Sequence, residues 1–159
     1  MTRRPSRRAG AATVEVALVL PILVVLVIGV ITGGVSVFQH QQVACLAKEG
    51  ARWASVRGAV SETDTGRAPP TRDEIVAAAV RPMAVSMDPA GLDVTVEWVD
   101  RATDTATDWD AAPKDLRSVT AGGEYVTNAV RVTVRYRCAP GLFGGPVTVQ
   151  GVCERPLTN

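Results

Sequence analysis

An uncharged apolar segment near the N-terminus constrains this chain more than any other feature. From Val16 to Phe38 the sequence reads VALVLPILVVLVIGVITGGVSVF, 23 residues without Asp, Glu, Lys or Arg. A helix of that length rises about 35 Å, enough to cross the roughly 30 Å hydrocarbon core of a bilayer. The segment therefore predicts a transmembrane helix over residues 11–38, and a globular core must form from the rest of the 159-residue chain.

Basic residues gather on one side of this segment. Arg3, Arg4, Arg7 and Arg8 fall within the first eight positions, and the remainder holds 13 Lys and Arg against 16 Asp and Glu. Because cationic flanks are retained in the cytoplasm, we expect the N-terminus inside the cell and the residues after Phe38 outside it. The formal net charge of +1 gives no general attraction to nucleic acid, which is not expected as a partner.

Three other interpretations of the apolar segment must be weighed. A cleaved secretory signal has an apolar core of only about 7 to 15 residues, and it would yield a secreted soluble protein cut near Gly34 or Ser36. A lipoprotein signal would modify Cys45, although Gln42 stands where an apolar residue is preferred. An unprocessed anchor would keep its N-terminus and hold a single-pass, extracytoplasmic binding module in the membrane.

A short motif precedes the apolar segment. Arg7 and Arg8 are followed by Ala9-Gly10-Ala11, and Glu15 is the fifth residue after Gly10. A carboxylate in the centre of a membrane helix costs about 2.5–3.5 kcal/mol on insertion scales, so Glu15 needs a cationic partner or a place in the headgroup zone. Cleavage after Gly10 would create such a cation, the new α-amine of Ala11, and an adjacent subunit could present it to Glu15.

These residues resemble the N-terminus of type IV pilin-like proteins, and more closely the TadE-like proteins of Flp/Tad pilus assembly. The similar stretches are GAATVEVALVLP at residues 10–21 and EGARWA at residues 49–54, with Val16 where Tyr is frequent in that family. The resemblance implies that a prepilin peptidase removes residues 1–10 as a basic leader and that Glu15 aligns an incoming subunit. It also implies other pilin or pseudopilin subunits and the Tad assembly platform as partners, and incorporation in a pilus.

The helical period of the sequence continues beyond the membrane segment. Apolar residues recur at steps of three and four up to Arg57, which predicts a continuation of the helix over residues 39–58. Within the membrane segment, Gly29 and Gly33 have the GxxxG spacing that allows close packing between membrane helices. Pro21 is tolerated there as a bend.

Residues 59–159 predict a small extracytoplasmic head. Thr71 and Glu74 have the spacing of a capping box at the start of a second helix. Alternation of polar and apolar residues over 92–98 and 130–138 predicts two antiparallel strands, with acids on one polar face and arginines on the other. The fold class is therefore α+β and pilin-like. The second helix is expected to bury Val76, Val80, Met83 and Met87.

The three cysteines and the long segment over residues 100–123 give further predictions. Cys138 and Cys153 both stand at the alternating positions of their strands that carry apolar residues. A disulfide between them would close a loop of about fifteen residues and stabilise the head by roughly 3 kcal/mol. Cys45 lies on the polar side of the long helix, either as a free thiol or as a site for an intermolecular bond. Residues 100–123 predict a solvated loop. The alternative is a loop that contacts a partner, with Trp109 as an exposed anchor.

Sequence motifs for catalysis are lacking. The only histidine, His40, has no acid or nucleophile near it in the sequence. The chain contains no phosphate-binding glycine loop, no zinc-like spacing of Cys and His, and no nucleophile elbow. We therefore expect no catalytic residues, no metal and no cofactor, and we do not expect an enzyme.

Overall fold

The computed structural model describes residues 7–58, 62, 64, 66–85, 87–138 and 145–158. The chain divides between Val37 and Phe38 into two compact units. A single helix, α1 (Arg7–Ser55), forms the described part of the first unit and begins the second. The predicted α+β class is confirmed, because a long apolar N-terminal helix, a short second helix and a small antiparallel sheet are all present.

In the first unit, α1 presents apolar side chains outward. The large aliphatic side chains between Val14 and Val37 that lie on its surface are 46–71% exposed. The helix continues through Pro21, which cannot donate a helical hydrogen bond to the carbonyl of Ala17. In the part of the chain that the structure describes, α1 is long and apolar enough to cross a bilayer, and none of its most apolar window is buried. Apolar exposure of this extent is typical of a surface that contacts lipid or protein.

The second unit is built on a four-stranded antiparallel sheet with the strand order β2-β1-β5-β6. Two further strands, β3 and β4, pair with each other as a separate hairpin. The six strands are β1 (Leu92–Asp100), β2 (Thr105–Asp108), β3 (Arg117–Val119), β4 (Tyr125–Thr127), β5 (Ala129–Cys138) and β6 (Val147–Pro156).

The part of α1 that begins at Phe38 packs on one face of this sheet. Its inward residues repeat at helical spacing, while Cys45, Lys48 and Arg52 are exposed on the opposite side, so the predicted amphipathic continuation is confirmed. Burying a valine or leucine side chain contributes about 1.5–3 kcal/mol, which makes this contact the main source of stability for the head. The buried residues include Val43, Leu46, Ala47, Ala51 and Ala54 of α1 and Val94, Val96, Val130, Val132 and Val134 of the sheet.

Glycines allow the helix and the sheet to approach closely. A Cβ atom at Gly151 of β6 would lie 2.8 Å from the backbone atoms N and Cα of Ala44. On the helix, a Cβ at Gly50 would lie 3.3 Å from the side chains of Val132 and Val80. The first distance is too short for any side chain, so the crossing of β6 and α1 requires glycine at position 151.

The outer face of the sheet carries complementary charges, as predicted for antiparallel pairing of β1 and β5. Asp93 lies opposite Arg135, and Glu97 lies opposite Arg131. Arg131 also donates two hydrogen bonds, of 3.1 and 3.0 Å, to the carboxylate of Glu154 on β6. Because solvent-exposed ion pairs contribute at most about 1 kcal/mol each, these pairs favour one strand register more than they stabilise the sheet.

The second helix starts as predicted but is short. Thr71 Oγ1 accepts a hydrogen bond from the backbone N–H of Glu74, and the Glu74 carboxylate accepts one of 2.8 Å from the N–H of Thr71. The α-helix that follows, α2 (Arg72–Ile75), passes into a π-helical turn (Val76–Val80) and then a 3-10 turn (Arg81–Met83).

This change of pitch alters which side chains face the core. Val80 and Met87 are buried and Val76 is partly buried, in agreement with the prediction. Met83 is 45% exposed, so its predicted burial is wrong. A constant helical period does not hold across the π-helical and 3-10 turns, and Pro82 ends the regular hydrogen bonding.

The predicted loop over residues 100–123 is also corrected. It contains β2 and β3, and Trp109, predicted to be exposed, is fully buried. The indole Nε1–H donates a hydrogen bond of 2.7 Å to the carbonyl of Pro70. Burial removes a large apolar surface from water while the one polar atom of the ring stays paired, so Trp109 is a core residue of the head.

The predicted disulfide between Cys138 and Cys153 is wrong, and all three cysteines are free. Cys138 lies on β5 and Cys153 on the neighbouring strand β6. Cys138 is paired with Val147 of β6, and Cys153 with Val132 of β5. Six residues of β5 separate Cys138 from the partner of Cys153, a distance of about 20 Å along the strand. A disulfide requires Cα atoms within about 7 Å. Residues 139–144, part of the loop that the disulfide would close, lie outside the described residues.

The substitution Gly151→Ala is expected to lower the free energy of unfolding by about 1–3 kcal/mol, because the new methyl group must push β6 away from the helix backbone. Thermal unfolding of the detergent-solubilised full chain, followed by circular dichroism, measures this. Gly145→Ala is the matched control, since no atom of the described residues lies within 4 Å of a Cβ there. Equal melting temperatures for the two variants would contradict the close crossing.

Peptide mapping of the mature protein without reduction is expected to yield Cys138 and Cys153 in separate, alkylatable peptides. The register of β5 and β6 keeps the two sulfur atoms apart, so an oxidising compartment does not join them. A linked peptide containing both cysteines, formed without denaturant, would show that this register is wrong.

Candidate processing and assembly site

Gly10 and Glu15 lie in the first turns of α1, and both are exposed. No atom lies within 4 Å of a Cβ built at Gly10, so packing within the described chain does not require glycine there. The backbone nitrogen of Ala11 precedes Glu15 by four residues, which is about one helical turn or 6 Å of rise. A cation at that nitrogen would therefore stand on the same side of the helix as the carboxylate. Residues 1–6 of the predicted leader lie outside the described residues.

The glycines of the apolar segment are similar to Gly10 in the free space around a Cβ built on them. No atom lies within 4 Å of a Cβ built at Gly29, Gly33 or Gly34. The glycines at positions 50 and 151, in contrast, have close neighbours in the head. The described chain thus provides a packing reason for Gly50 and Gly151 of the head but none for the glycines of the apolar segment. Thr32, one residue before Gly33, satisfies its hydroxyl group within the helix by donating to the carbonyl of Ile28.

A groove lies in the head beside the C-terminal end of α1. Its volume is about 950 Å³, and Trp53, Pro69, Pro70, Ala77 and Ala78 give it apolar walls. The guanidinium carbon of Arg57 stands 4.0 Å from the centre of the Trp53 ring. Arg57 Nη1 also donates a hydrogen bond of 3.0 Å to the carbonyl of Trp53. This cation–π contact holds a positive charge at the groove and fixes the orientation of the indole.

The described residues contain no group of three or more His, Cys, Asp or Glu side chains placed to hold a metal ion. His40 and Cys45 are both exposed on α1. Glu49 pairs with Arg52 at 3.4 Å on the same helix surface. The described residues thus offer the Glu15 carboxylate for ion pairing, the glycines of the apolar segment for helix packing, and the groove beside Trp53 for binding.

Sequence reasoning missed the groove. One signal was present, because Trp53 and Arg57 have the four-residue spacing that places two side chains together on a helix. The second wall, from Arg67 to Pro70, is brought there by tertiary structure. Trp109, buried in the core, holds it by the hydrogen bond to Pro70. The alternative in which Trp109 is an exposed anchor is therefore wrong, and the residue supports one wall of the groove from within the core.

Residues 10–52 match the family model described as TadE-like protein. No curated protein and no solved structure matches the chain. The predicted resemblance to the TadE-like family is therefore confirmed over residues 10–52, a stretch that includes Gly10, Glu15 and both glycines of the GxxxG pair.

Proposed function

We propose, from the match of residues 10–52 to the TadE-like family, that this protein is a pseudopilin or minor pilin. It takes part in assembling a Flp/Tad-type pilus or a related secretion apparatus, with no enzymatic activity of its own. The observation that carries the proposal is the spacing of Gly10 and Glu15 at the start of an exposed, apolar helix, within the part of the chain that matches the family.

Processing is the first step of the proposed function. A prepilin peptidase cuts between Gly10 and Ala11 and removes the arginine-rich leader. The exposure of Gly10, and the lack of any contact that would demand glycine within the chain, support a role for this residue in recognition by another molecule. Removing the leader takes four arginines from the cytoplasmic side, which lowers the barrier to drawing the helix out of the membrane.

Assembly is the second step. The new α-amine of Ala11 on one subunit pairs with Glu15 of a neighbour as the apolar helices pack side by side. Because an unpaired carboxylate is unfavourable in a bilayer, this pairing selects the axial position at which both charges are neutralised. Gly29 and Gly33 let the two helices approach closely, which accounts for glycines that have no close neighbour within the described chain.

The location follows from the same features. Before assembly the protein is a single-pass protein of the cell membrane, with a cytoplasmic N-terminus and an extracytoplasmic head. Its partners are the prepilin peptidase, other pilin or pseudopilin subunits and the Tad assembly platform. A free head outside the cytoplasm would allow contacts with further subunits.

Intact-mass measurement of protein extracted from the native membrane is expected to give a chain that begins at Ala11. A Gly10→Val variant is expected to retain the leader, because the larger side chain blocks the peptidase. Gly34→Ala serves as the control and should be cut normally, since it lies far from the cleaved bond. A wild-type chain beginning at Met1 or Thr2 would instead support an unprocessed anchor with a binding module, and a start near Gly34 or Ser36 a secreted protein.

A Glu15→Ala variant is expected to be cleaved normally but to reduce pilus assembly at least tenfold, because an incoming subunit loses the carboxylate that aligns it. Counting of pili by electron microscopy gives the assembly level, and intact mass gives the cleavage. Glu49→Ala removes a carboxylate from the same helix beyond the apolar segment and should leave assembly unchanged. Normal piliation of the Glu15→Ala strain would show that this carboxylate has no part in alignment.

A further inference from the structure

The chain enters the head at Phe38, directly after the apolar segment, and two contacts show which end of the sheet lies there. Ala44 of α1 lies against Gly151 of β6, where a Cβ would stand 2.8 Å from its backbone. At the other end of the helix, the carbonyl of Ser55 accepts a hydrogen bond of 2.9 Å from the N–H of Thr158. Helix and strand therefore run in the same direction. The start of β6, the end of β5 and the start of β1 thus lie at the end of the head that contains Phe38, which is termed the Phe38 end.

The start of β6 reaches back to the level of Phe38. Gly151 lies beside Ala44, which is six residues, or about 9 Å of helical rise, beyond Phe38. Val147 precedes Gly151 by four residues, a distance of about 13 Å along an extended strand. The headgroup zone on each side of a bilayer is about 5–8 Å thick. Because the apolar segment ends at Phe38, Val147 lies within reach of lipid headgroups when that segment spans a bilayer.

Apolar side chains are exposed at the Phe38 end. Val147, the first residue of β6, is 48% exposed. The connection that leads into β1 also passes this end, because the N–H of Asp88 donates a hydrogen bond of 3.2 Å to the hydroxyl of Tyr136 near the end of β5. Val85, three residues before Asp88, is 64% exposed. Insertion of such aliphatic side chains into a membrane interface removes their surface from water.

One arginine of the outer sheet face differs from its neighbours on β5. Arg131 pairs with Glu154 at 3.0 Å, and Arg135 pairs with Asp93 at 3.8 Å. Arg137, at the Phe38 end, is exposed and makes no ion pair with any residue that the structure describes. A guanidinium group presents a planar fork of donors that matches the oxygens of a phosphate. Arg137 is therefore placed to bind the phosphate of a lipid headgroup at the level of Phe38.

The Phe38 end carries an acid as well. The carboxylate of Asp88 accepts a hydrogen bond of 3.0 Å from the N–H of Ala90 and thereby caps a 3-10 turn (Pro89–Gly91). With charges of both signs, this end has no general attraction to an anionic membrane. A contact with lipid depends instead on the position of the apolar side chains and on the single phosphate contact of Arg137.

We propose that the Phe38 end of the head rests on the surface of the bilayer. Val85 and Val147 insert among the lipid headgroups, and the guanidinium of Arg137 binds the phosphate of a phospholipid. The proposal rests on the membrane location given under the proposed function, but not on cleavage after Gly10 or on pilus assembly. The contact holds the head of an unassembled subunit against the membrane, and it breaks when the subunit is drawn out.

The apolar segment makes this contact significant. Two aliphatic side chains and one phosphate contact would bind a soluble head to lipid only weakly. Because α1 continues without interruption from the apolar segment into the head, the Phe38 end is kept beside the lipid at a high effective concentration. A test of the contact therefore requires the full chain.

Photo-crosslinking of the full chain, reconstituted in vesicles of phosphatidylethanolamine and phosphatidylglycerol, tests the proposal. With p-benzoylphenylalanine in place of Val85, irradiation is expected to add the mass of one phospholipid to a large fraction of the intact chain. The same photoreactive residue in place of Val147 is expected to do so too, which keeps the test decisive if one variant does not fold. In place of Phe38 it serves as the positive control, because this residue ends the apolar segment.

Val119 is the matched control at the opposite end of the head. It is 54% exposed on the β3–β4 hairpin. This hairpin is followed by Asn128, whose carbonyl accepts a hydrogen bond of 2.9 Å from the N–H of Leu157, just beyond the end of β6. Photoreactive residues at position 119 are expected to give at least fivefold less lipid adduct than those at position 85.

Adducts from position 38 without adducts from positions 85 and 147 would overturn the proposal and leave the proposed function intact. Equal yields from positions 85 and 119 would overturn it as well, because they would show chance collision with lipid. Loss of adducts from every position would contradict the membrane location itself.

The phosphate contact has its own test in the same vesicles. Arg137→Gln is expected to lower the adduct yield from position 85 at least threefold. Arg117→Gln removes one charge from an exposed arginine of β3 and should leave the yield unchanged. Equal melting temperatures of the two variants by circular dichroism show that the head remains folded. An unchanged yield for Arg137→Gln, or an equal loss for both variants, would show that Arg137 does not bind lipid.

Discussion

The crossing of α1 and the sheet is the contact on which the rest of the head depends. Gly151 brings β6 against the backbone of Ala44, and Gly50 of the helix makes room for the side chain of Val132 on β5. With aromatics at only 4% of the chain, few large side chains are available to fill a wider gap. Alanine and valine therefore form most of the layer between α1 and the sheet. Such a core reaches native packing density only when backbones approach closely, so glycine at this crossing is a requirement of the composition.

The surface of α1 has a different character before and after Phe38. Before Phe38 its surface is apolar all round and lacks the partners that would require its glycines. After Phe38 it carries one buried face, and its opposite face has exposed Lys48 and Arg52. These patterns explain why a family match limited to residues 10–52 is informative about function. The matched stretch contains Gly10, Glu15, the apolar segment and much of the helix face that packs on the sheet. The β3–β4 hairpin and the groove beside Trp53 are surfaces of the head that lie outside the match.

Those surfaces are created by the parts of the head that sequence reasoning described least well. The hairpin β3–β4 arises from the region of the predicted loop, and the groove is closed by a segment that Trp109 secures. Strict alternation identified β1 and β5 because each buries one face over nine or ten residues. Strands of three or four residues, such as β2, β3 and β4, contain too few alternations to be recognised by the same method. Each is identified instead by pairing with a neighbouring strand, β2 with β1 and β3 with β4.

The sequence by itself determined the apolar helix, the Gly10 and Glu15 motif, the capping box at Thr71 and the charge complementarity of β1 and β5. Each is a local or periodic property, because hydropathy, helix start signals and strand alternation act over a few neighbouring residues. Only the tertiary structure decided the burial of Trp109, the exposure of Met83 and the separation of Cys138 from Cys153. The alternation of polar and apolar residues shows which face of a strand a side chain lies on, but not which residue it pairs with. A two-residue shift of β6 along β5 changes the distance between the two thiols by many ångströms and leaves both on the same face. Register is set by the whole sheet and the helix that covers it.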